Sequence, residues 1–484
     1  MPEAEARSEF WPAVEDLVPG KFEPTPMGRA FAVETVLPLE EQAAGVPLGG
    51  FLQVPIHLLT AACGSLPGGA SLRFLGATRA ERATAPLPGL PGDLSPSQAV
   101  FLDTETTGLA GGTGTLAFLV GLGWFEPCDG QPSAFVLRQY FVRDYPEEPA
   151  VLAALTRLWR PGWLLVTFNG LRFDWPLLET RWALNRMRPP SPAGHLDVLR
   201  AARRLWRGRV GSCALSNLEA ALLGLRREVD VPSYLIPSLY FDYLRRRDAS
   251  ALPAVFAHNR QDILTMVALA TLAGRRLQAP LAADTDATEL AALGRTLLAL
   301  GRHEEGLACL RAAIRACSPE GEGSHGLRPR LPAPTPASEP RGFGPSASTT
   351  RTLPLPTPAR SDAGATGACG RADGLRRRLV AELGWALKRL GRWAEAVELW
   401  QSRLGQARPE LEAFVELAKY WEHRAGDLEA ARQLVLGALK HLEAGALGLD
   451  AGQEAAARRA LGQRLARLER RLGRLQAAPL HRAG

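Results

Sequence analysis

The 484-residue sequence has little of what would commit it to a membrane, a disulfide framework or a zinc site. No apolar run approaches the length of a membrane span, and the opening MPEAEARSEF lacks the basic and apolar regions of a signal peptide. A cytoplasmic location, without membrane contact, is therefore expected. The six cysteines (Cys63, Cys128, Cys213, Cys309, Cys317, Cys369) are scattered and form no C-x-x-C pair, which fits a reducing compartment. Lysine is nearly missing as well. Lys21, Lys388, Lys419 and Lys440 are the only four, so the net charge of +7 is carried by arginine. Arginine suits bidentate phosphate contact, but a GC-rich coding bias is the larger cause, and a basic balance permits nucleic-acid binding without showing it.

What is present is ordinary for a globular chain: 46% hydrophobic and 22% charged residues, with length for two or three domains. The organising stretch is FLDTETTGL, residues 101–109. Its hydrophobic approach reads as a buried strand, and strand periodicity sends Asp103 and Glu105 to the same side. Thr106, Thr107 and Gly108 supply the turn that ends it. Two neighbouring carboxylates repel unless a cation lies between them, and hard divalent ions favour oxygen ligands.

Residues 1–95 are a region of unclear fold that ends in a proline-rich linker. FAVETVL (31–37) is a candidate strand, and 54–62 a short helix or strand. Strands are then expected at 115–125 and 134–141, forming with the first an antiparallel meander. A helix over 147–159, a buried strand over 163–168, and helices over 176–186 and 197–206 come next. Ser216-x-x-Glu219 reads as a capping box opening a helix over 217–223, and a long helix spans 252–277. This order predicts an α/β domain, a mixed sheet flanked by helices, over residues 96–277.

Two further stretches bring acids toward Asp103 and Glu105. NGLRFD (169–174) follows a strand, so Asp174 falls near the start of the next helix, at the carboxyl end of the sheet. His258 and Asp262, in HNRQD, are four apart on the last helix and share a face. FLDTETTGL, NGLRFD and HNRQD, in this order, resemble the three motifs of the DEDD 3′–5′ exonucleases, a branch of the ribonuclease-H-like fold. GGTGTLAFLVGLG, HLDVLRAARRLW and IPSLYFDYLRRRD resemble, more narrowly, the YprB-like family. The resemblance implies metal-assisted phosphodiester cleavage, with Asp103, Glu105, Asp174 and Asp262 holding two Mg²⁺ or Mn²⁺ ions and His258 as general base or orienting group. In the histidine subclass of these exonucleases the base lies five residues before the last Asp, in the tyrosine subclass four. This chain has histidine at the tyrosine spacing. Thr106, Gly108, Leu109, Asn169 and Phe173 match positions that shape the site or contact the nucleotide, and Asp197 matches a recurrent acid outside the metal set, read as structural.

Beyond residue 284 three segments share small residues before a bulky face, a Gly turn and an Ala-centred second helix. Gly384 and Ala418 stand 34 positions apart, the tetratricopeptide period. These segments resemble degenerate tetratricopeptide hairpins, a first at 284–317 and others within 372–480, forming an all-α repeat domain. Between them residues 318–371, rich in Pro, Ser, Thr, Gly and Ala, are expected to be disordered. An arginine-rich helix over 455–475 caps the array or contacts nucleic acid, capping being the better fit. The sequence thus reads as a metal-dependent nuclease, a 3′–5′ exonuclease acting on a DNA or RNA 3′ end, whose repeats contact substrate or a protein partner. The alternatives are endonuclease action at the same metal site, and a non-catalytic nucleic-acid-binding adaptor with protein-recruiting repeats.

Overall fold

The computed structural model describes residues 12–63, 94–108, 112–227, 231–317, 368–406 and 409–477. The chain divides between Cys309 and Leu310 into two compact units.

The first unit is built on seven strands: β1 (Lys21–Thr25), β2 (Gly28–Pro38), β3 (Ala99–Thr106), β4 (Ala117–Cys128), β5 (Gln131–Phe141), β6 (Leu164–Thr167) and β7 (Gly194–Asp197). Their order in the sheet is β1-β2-β5-β4-β3-β6-β7. The meander β3–β4–β5 is antiparallel, as the short connections require, while β6 and β7 add in parallel beyond β3 after helical crossovers. The N-terminal region, of unclear fold from sequence apart from the candidate strand FAVETVL, which lies within β2, supplies the other edge: β1 pairs outside β2, and β2 lies antiparallel to β5, with Phe31 opposite Phe141 and Leu37 opposite Phe135. The ambiguous stretch at 54–62 is helical, as α1 (Ile56–Cys63).

Alternation along β3 builds two cores. Val100 and Leu102 face one side, covered by α2 (Glu148–Leu158), α3 (Asp174–Leu184) and, after α4 (Val198–Leu205) and α5 (Leu215–Leu218) in the chain, α6 (Ile236–Arg246). Ala99 and Phe101 face the other, covered by α1, α4 and the 27-residue α7 (Leu252–Gln278). Each fully buried Leu, Ile or Phe here contributes about 1.5–3 kcal/mol. Helix α7 is apolar on most of its circumference because it is sandwiched between the sheet and α1 and α4. Its close approach to β4 depends on glycine: a Cβ on Gly123 would lie 2.9 Å from Ile263, and one on Gly121 would overlap the Asn259 side chain.

The expected capping box is not formed. α5 begins at Leu215 with Ala214 as its N-cap and no side-chain cap, and runs into a wider turn at Glu219–Leu223. Glu219 points inward, where tertiary partners replace the local bond.

Helices α8 (Ala287–Ala299) and α9 (His303–Ala316) form the first hairpin, turning at Gly301, whose φ of 79° suits glycine. Buried Glu289 at the start of α8 accepts bonds from Trp206 and Arg209, which ties α8 to the end of α4. The second unit continues with α10 (Ala368–Arg389), α11 (Trp393–Leu404), α12 (Leu411–Tyr420), α13 (Leu428–Glu443) and α14 (Ala451–Ala477). Residues 318–367 of the expected disordered insertion lie outside the described residues, while 368–371 already belong to α10. A Cβ on Gly384 would meet the Trp400 ring at 2.8 Å, so a small residue lets α10 and α11 close, and Ala418 is buried in the next hairpin.

The arginines of α14 have an identifiable partner. Glu422, whose side chain is fully buried in the turn after α12, accepts bonds from Arg464, Arg467 and Arg471. Burial alone would raise its carboxyl, but the Arg467 hydrogen bond and the charges of His423, Arg467 and Arg464 hold it below the usual range. Glu422→Gln is expected to destabilise this unit by about 2–3 kcal/mol. That is less than the cost of breaking a fully buried pair, because Arg467 and Arg471 are over 40% exposed. Chemical unfolding monitored by circular dichroism checks it. Because the folded pKa is depressed, the contribution is present above about pH 4.3 and lost as pH falls through the folded value, so the difference between the two proteins should shrink in acid.

Candidate active site

Strand β3 delivers Asp103 and Glu105 to its α7 side, at its carboxyl end, and Thr104 between them to the other face. Asp103 lies opposite Gly121 of β4, and the β3–β4 register breaks just after Glu105. The missing side chain at Gly121 admits Asn259 of α7, whose amide nitrogen donates to Asp103 Oδ2 at 2.7 Å and to the Asp103 carbonyl at 3.2 Å. Gln139 of β5 donates in turn to Asn259 Oδ1 at 2.9 Å and to the Phe256 carbonyl at 2.8 Å. Three elements therefore fix one carboxylate through a buried amide relay. Gly121→Ala is expected to displace Asn259, costing about 1–3 kcal/mol of stability as overpacking and breaking the relay. Thermal unfolding of the variant, with its cleavage rate beside the parent's, checks both effects.

Asp174 opens α3 immediately after the left-handed Asn169 turn (φ 69°). The Thr104 hydroxyl donates to Asp174 Oδ1 at 2.5 Å, so the two faces of β3 hold neighbouring acids. Asp197 holds the turn: its Oδ1 accepts from the Asn169 amide at 2.8 Å and from the Leu199 amide at 3.1 Å, capping α4. Its bonds are structural. On α7, His258 and Asp262 stack one turn apart, with His258 Nε2 3.6 Å from Asp262 Oδ2 and 3.9 Å from Glu105 Oε1.

The electrostatics bind the four acids into one cluster. Burial, followed by the charges of Asp262, Glu105 and Asp174, pushes the Asp103 carboxyl well above its ordinary value. Burial pushes Asp174 up to about 6 against the Thr104 hydroxyl, with Asp197 adding to the rise. Burial raises Asp262 as well, against the charges of His258 and Arg227. An all-oxygen, mutually repelling donor set, with Glu105 and Asp174 buried and Asp103 and Asp262 partly so, suits a hard divalent cation in chemistry. In the arrangement seen, no three His, Cys, Asp or Glu side chains among the described residues stand close enough to hold one ion.

The remaining expected residues vary in their placement. Thr106 is buried and its hydroxyl donates to the Gly108 carbonyl at 2.9 Å, so both belong to the turn beside Glu105. Phe173 is half-buried and Asn169 exposed at the mouth of α3, while Leu109 lies outside the described residues.

Sequence reasoning missed the site's cation. Arg227 Nη2 donates to Asp262 Oδ1 at 2.5 Å, and Nη1 approaches His258 Nδ1 at 3.4 Å. A guanidinium can only donate, so in that contact Nδ1 is the acceptor and the ring proton is on Nε2. Nε and Nη2 of Arg227 also donate to Glu219, which accepts from Thr265 of α7 as well. The only local signal was Glu219 itself, spent on the capping-box reading. Asn259, inside HNRQD, was legible as a polar residue on the same helix but not as the partner of Asp103.

Comparison with known proteins places this geometry in context. Residues 100–273 match the RNase_H superfamily model. Over 202 residues the chain is 33% identical to the uncharacterized protein YprB of Bacillus subtilis (strain 168), a stretch covering 41% of this chain and 47% of that protein. The chain thus spans about half the length of the curated relative it matches. The seven-stranded mixed sheet with its flanking helices, and the stretch matched, agree on an RNase H-like domain that carries all four clustered acids.

Proposed function

We propose that the first unit is a divalent-metal-dependent nuclease acting as a 3′–5′ exonuclease on DNA or RNA, and that the helical hairpins, tetratricopeptide-like in pattern, contact substrate or a protein partner. The observation that carries the reading is the gathering of acids from β3, α3 and α7: Thr104, next to Asp103, holds Asp174, and His258 stands within 4 Å of both Glu105 and Asp262. A cluster of that charge makes little sense for gripping phosphate unless cations offset it. Asp103, Glu105, Asp174 and Asp262 are the residues that would hold Mg²⁺ or Mn²⁺. When bound, such ions supply positive charge to the scissile phosphate and acidity to a water.

The chain's own residues do the positioning. Asn259 orients Asp103, Thr104 orients Asp174, and neither can turn without leaving a buried polar group unpaired. His258 lies between Glu105 and Asp262, where Nε2 can accept the proton of an attacking water once the ring proton lies on Nδ1, which requires Arg227 to leave that nitrogen. The turn at Thr106–Gly108 and the half-buried Phe173 border the cluster and are assigned to the terminal nucleotide.

Digestion of end-labelled single- and double-stranded DNA and RNA with Mg²⁺ or Mn²⁺ tests the proposal, with Asp103→Asn as control. Release of mononucleotides from the 3′ end by the parent alone is expected. Internal fragments would instead identify an endonuclease. No cleavage by the parent, with retained binding, would favour an adaptor.

A further inference from the structure

The cluster raises a question of its own: four acids suited to a divalent cation do not close on one, and a guanidinium stands on one of them. Arg227 follows the irregular turn after α5, where Gly224 adopts φ 64°, so it is carried by a non-helical stretch. Its side chain meets His258 and Asp262, four residues apart on a single face of α7. Glu219 holds the other side of the guanidinium. That carboxylate is 2% exposed and is itself fixed by the buried Thr265 hydroxyl at 2.5 Å, so it is part of the core and not a surface partner. Arg227 is thus shared between a buried, hydrogen-bonded anion, Glu219, and an anion of the acid cluster, Asp262.

We propose that Arg227 is a tethered counter-cation: it neutralises Asp262 in the metal-free protein and competes with a divalent cation for that carboxylate. This rests on the metal reading given above. The arrangement suits exchange, because a guanidinium displaced from Asp262 Oδ1 keeps its bonds to Glu219 and is not left as an unpaired buried charge. Entry of a divalent ion then involves trading one positive charge for two, with the Arg227 bond to Asp262 as the cost.

The test is calorimetric titration of the full chain with Mn²⁺ in the absence of nucleic acid, comparing the parent with Arg227→Gln and the unbranched, uncharged Arg227→Met. Melting temperatures are recorded with and without Mn²⁺. Both variants are expected to bind Mn²⁺ about tenfold more tightly than the parent. They should melt lower without metal and gain more from its addition. Arg227→Lys, which keeps a tethered charge, should stay closer to the parent. Unchanged or weaker Mn²⁺ binding in cooperatively folded Arg227→Gln or Arg227→Met would overturn the proposal and leave the metal reading standing, with Arg227 reassigned to fixing the site or to phosphate. Absence of Mn²⁺ binding in parent and variants alike would overturn both.

Discussion

Asp103→Asn is expected to reduce metal-dependent phosphodiester cleavage by at least about 10²–10³-fold, the scale of losing one electrostatic group from a preorganised site. It should do so without loss of fold. The substitution is nearly isosteric, and an amide oxygen at the Oδ2 position can still accept from Asn259. What disappears is the charge that Asp262, Glu105 and Asp174 all oppose. In the metal-free protein the variant should therefore melt at the same temperature or higher, because one of several buried like charges has been removed. Loss of function with a gain in stability is the pattern expected of a residue whose environment serves chemistry at the expense of folding. Differential scanning fluorimetry with and without Mn²⁺, together with single-turnover cleavage, measures both sides. A variant that cleaves at the parental rate would remove Asp103 from the mechanism and the four-acid assignment with it.

How far this site could be read without coordinates depended on the range of each interaction. Asp103 and Glu105 were legible because strand alternation is local and forces both onto one side. Asp174 was legible because it follows the strand β6 and a turn. That His258 and Asp262 share a face was legible from helical spacing, while their candidacy for the site came from the resemblance of HNRQD to the third exonuclease motif. FAVETVL was legible as a candidate strand, but its place in the sheet was not, because β2 pairs with β5 across more than a hundred residues, Phe31 with Phe141, and nothing in the stretch announces that register. Glu219 was misread for a related reason. Ser216-x-x-Glu219 satisfies a local capping rule, but an arginine eight residues on and a threonine on α7 compete for the same carboxylate and win it. Arg227 itself sits in LGLRREVD, which has the composition of a solvated loop; only the fold reveals that its neighbours are acids. Glu422 and the α14 arginines repeat the lesson, since a basic helix that reads as a surface feature is anchored by one buried carboxylate.

The histidine at the unusual spacing gives the second large effect. His258 is 6% exposed, one turn before Asp262, with Nε2 3.6 Å from one cluster carboxylate and 3.9 Å from another. The four-residue spacing thus suffices to bring the ring to the acids, because successive turns of α7 stack at that interval. Its Nδ1 faces Arg227 at 3.4 Å and its Nε2 faces the Ser233 hydroxyl at 3.4 Å, so the ring is held on both sides and does not sweep the site freely. A base so placed should be worth its full catalytic contribution once Arg227 has left Nδ1, because while the guanidinium donates there the ring proton occupies Nε2. His258→Ala is expected to lower single-turnover cleavage by roughly 10²–10⁴-fold, the range for a lost general base, while Mn²⁺ affinity stays within a few-fold because all four carboxylates remain. A structural role predicts a different pair of results: a lower melting temperature from the vacated space beside Ser233, with cleavage falling only in proportion to the folded fraction. His258→Gln separates the two further, since it refills the space and retains hydrogen bonding but cannot accept a proton near neutral pH. Slow cleavage in both variants, with parental melting in His258→Gln, identifies the base; near-parental turnover in His258→Gln would assign the ring to holding Arg227 and Ser233 in place.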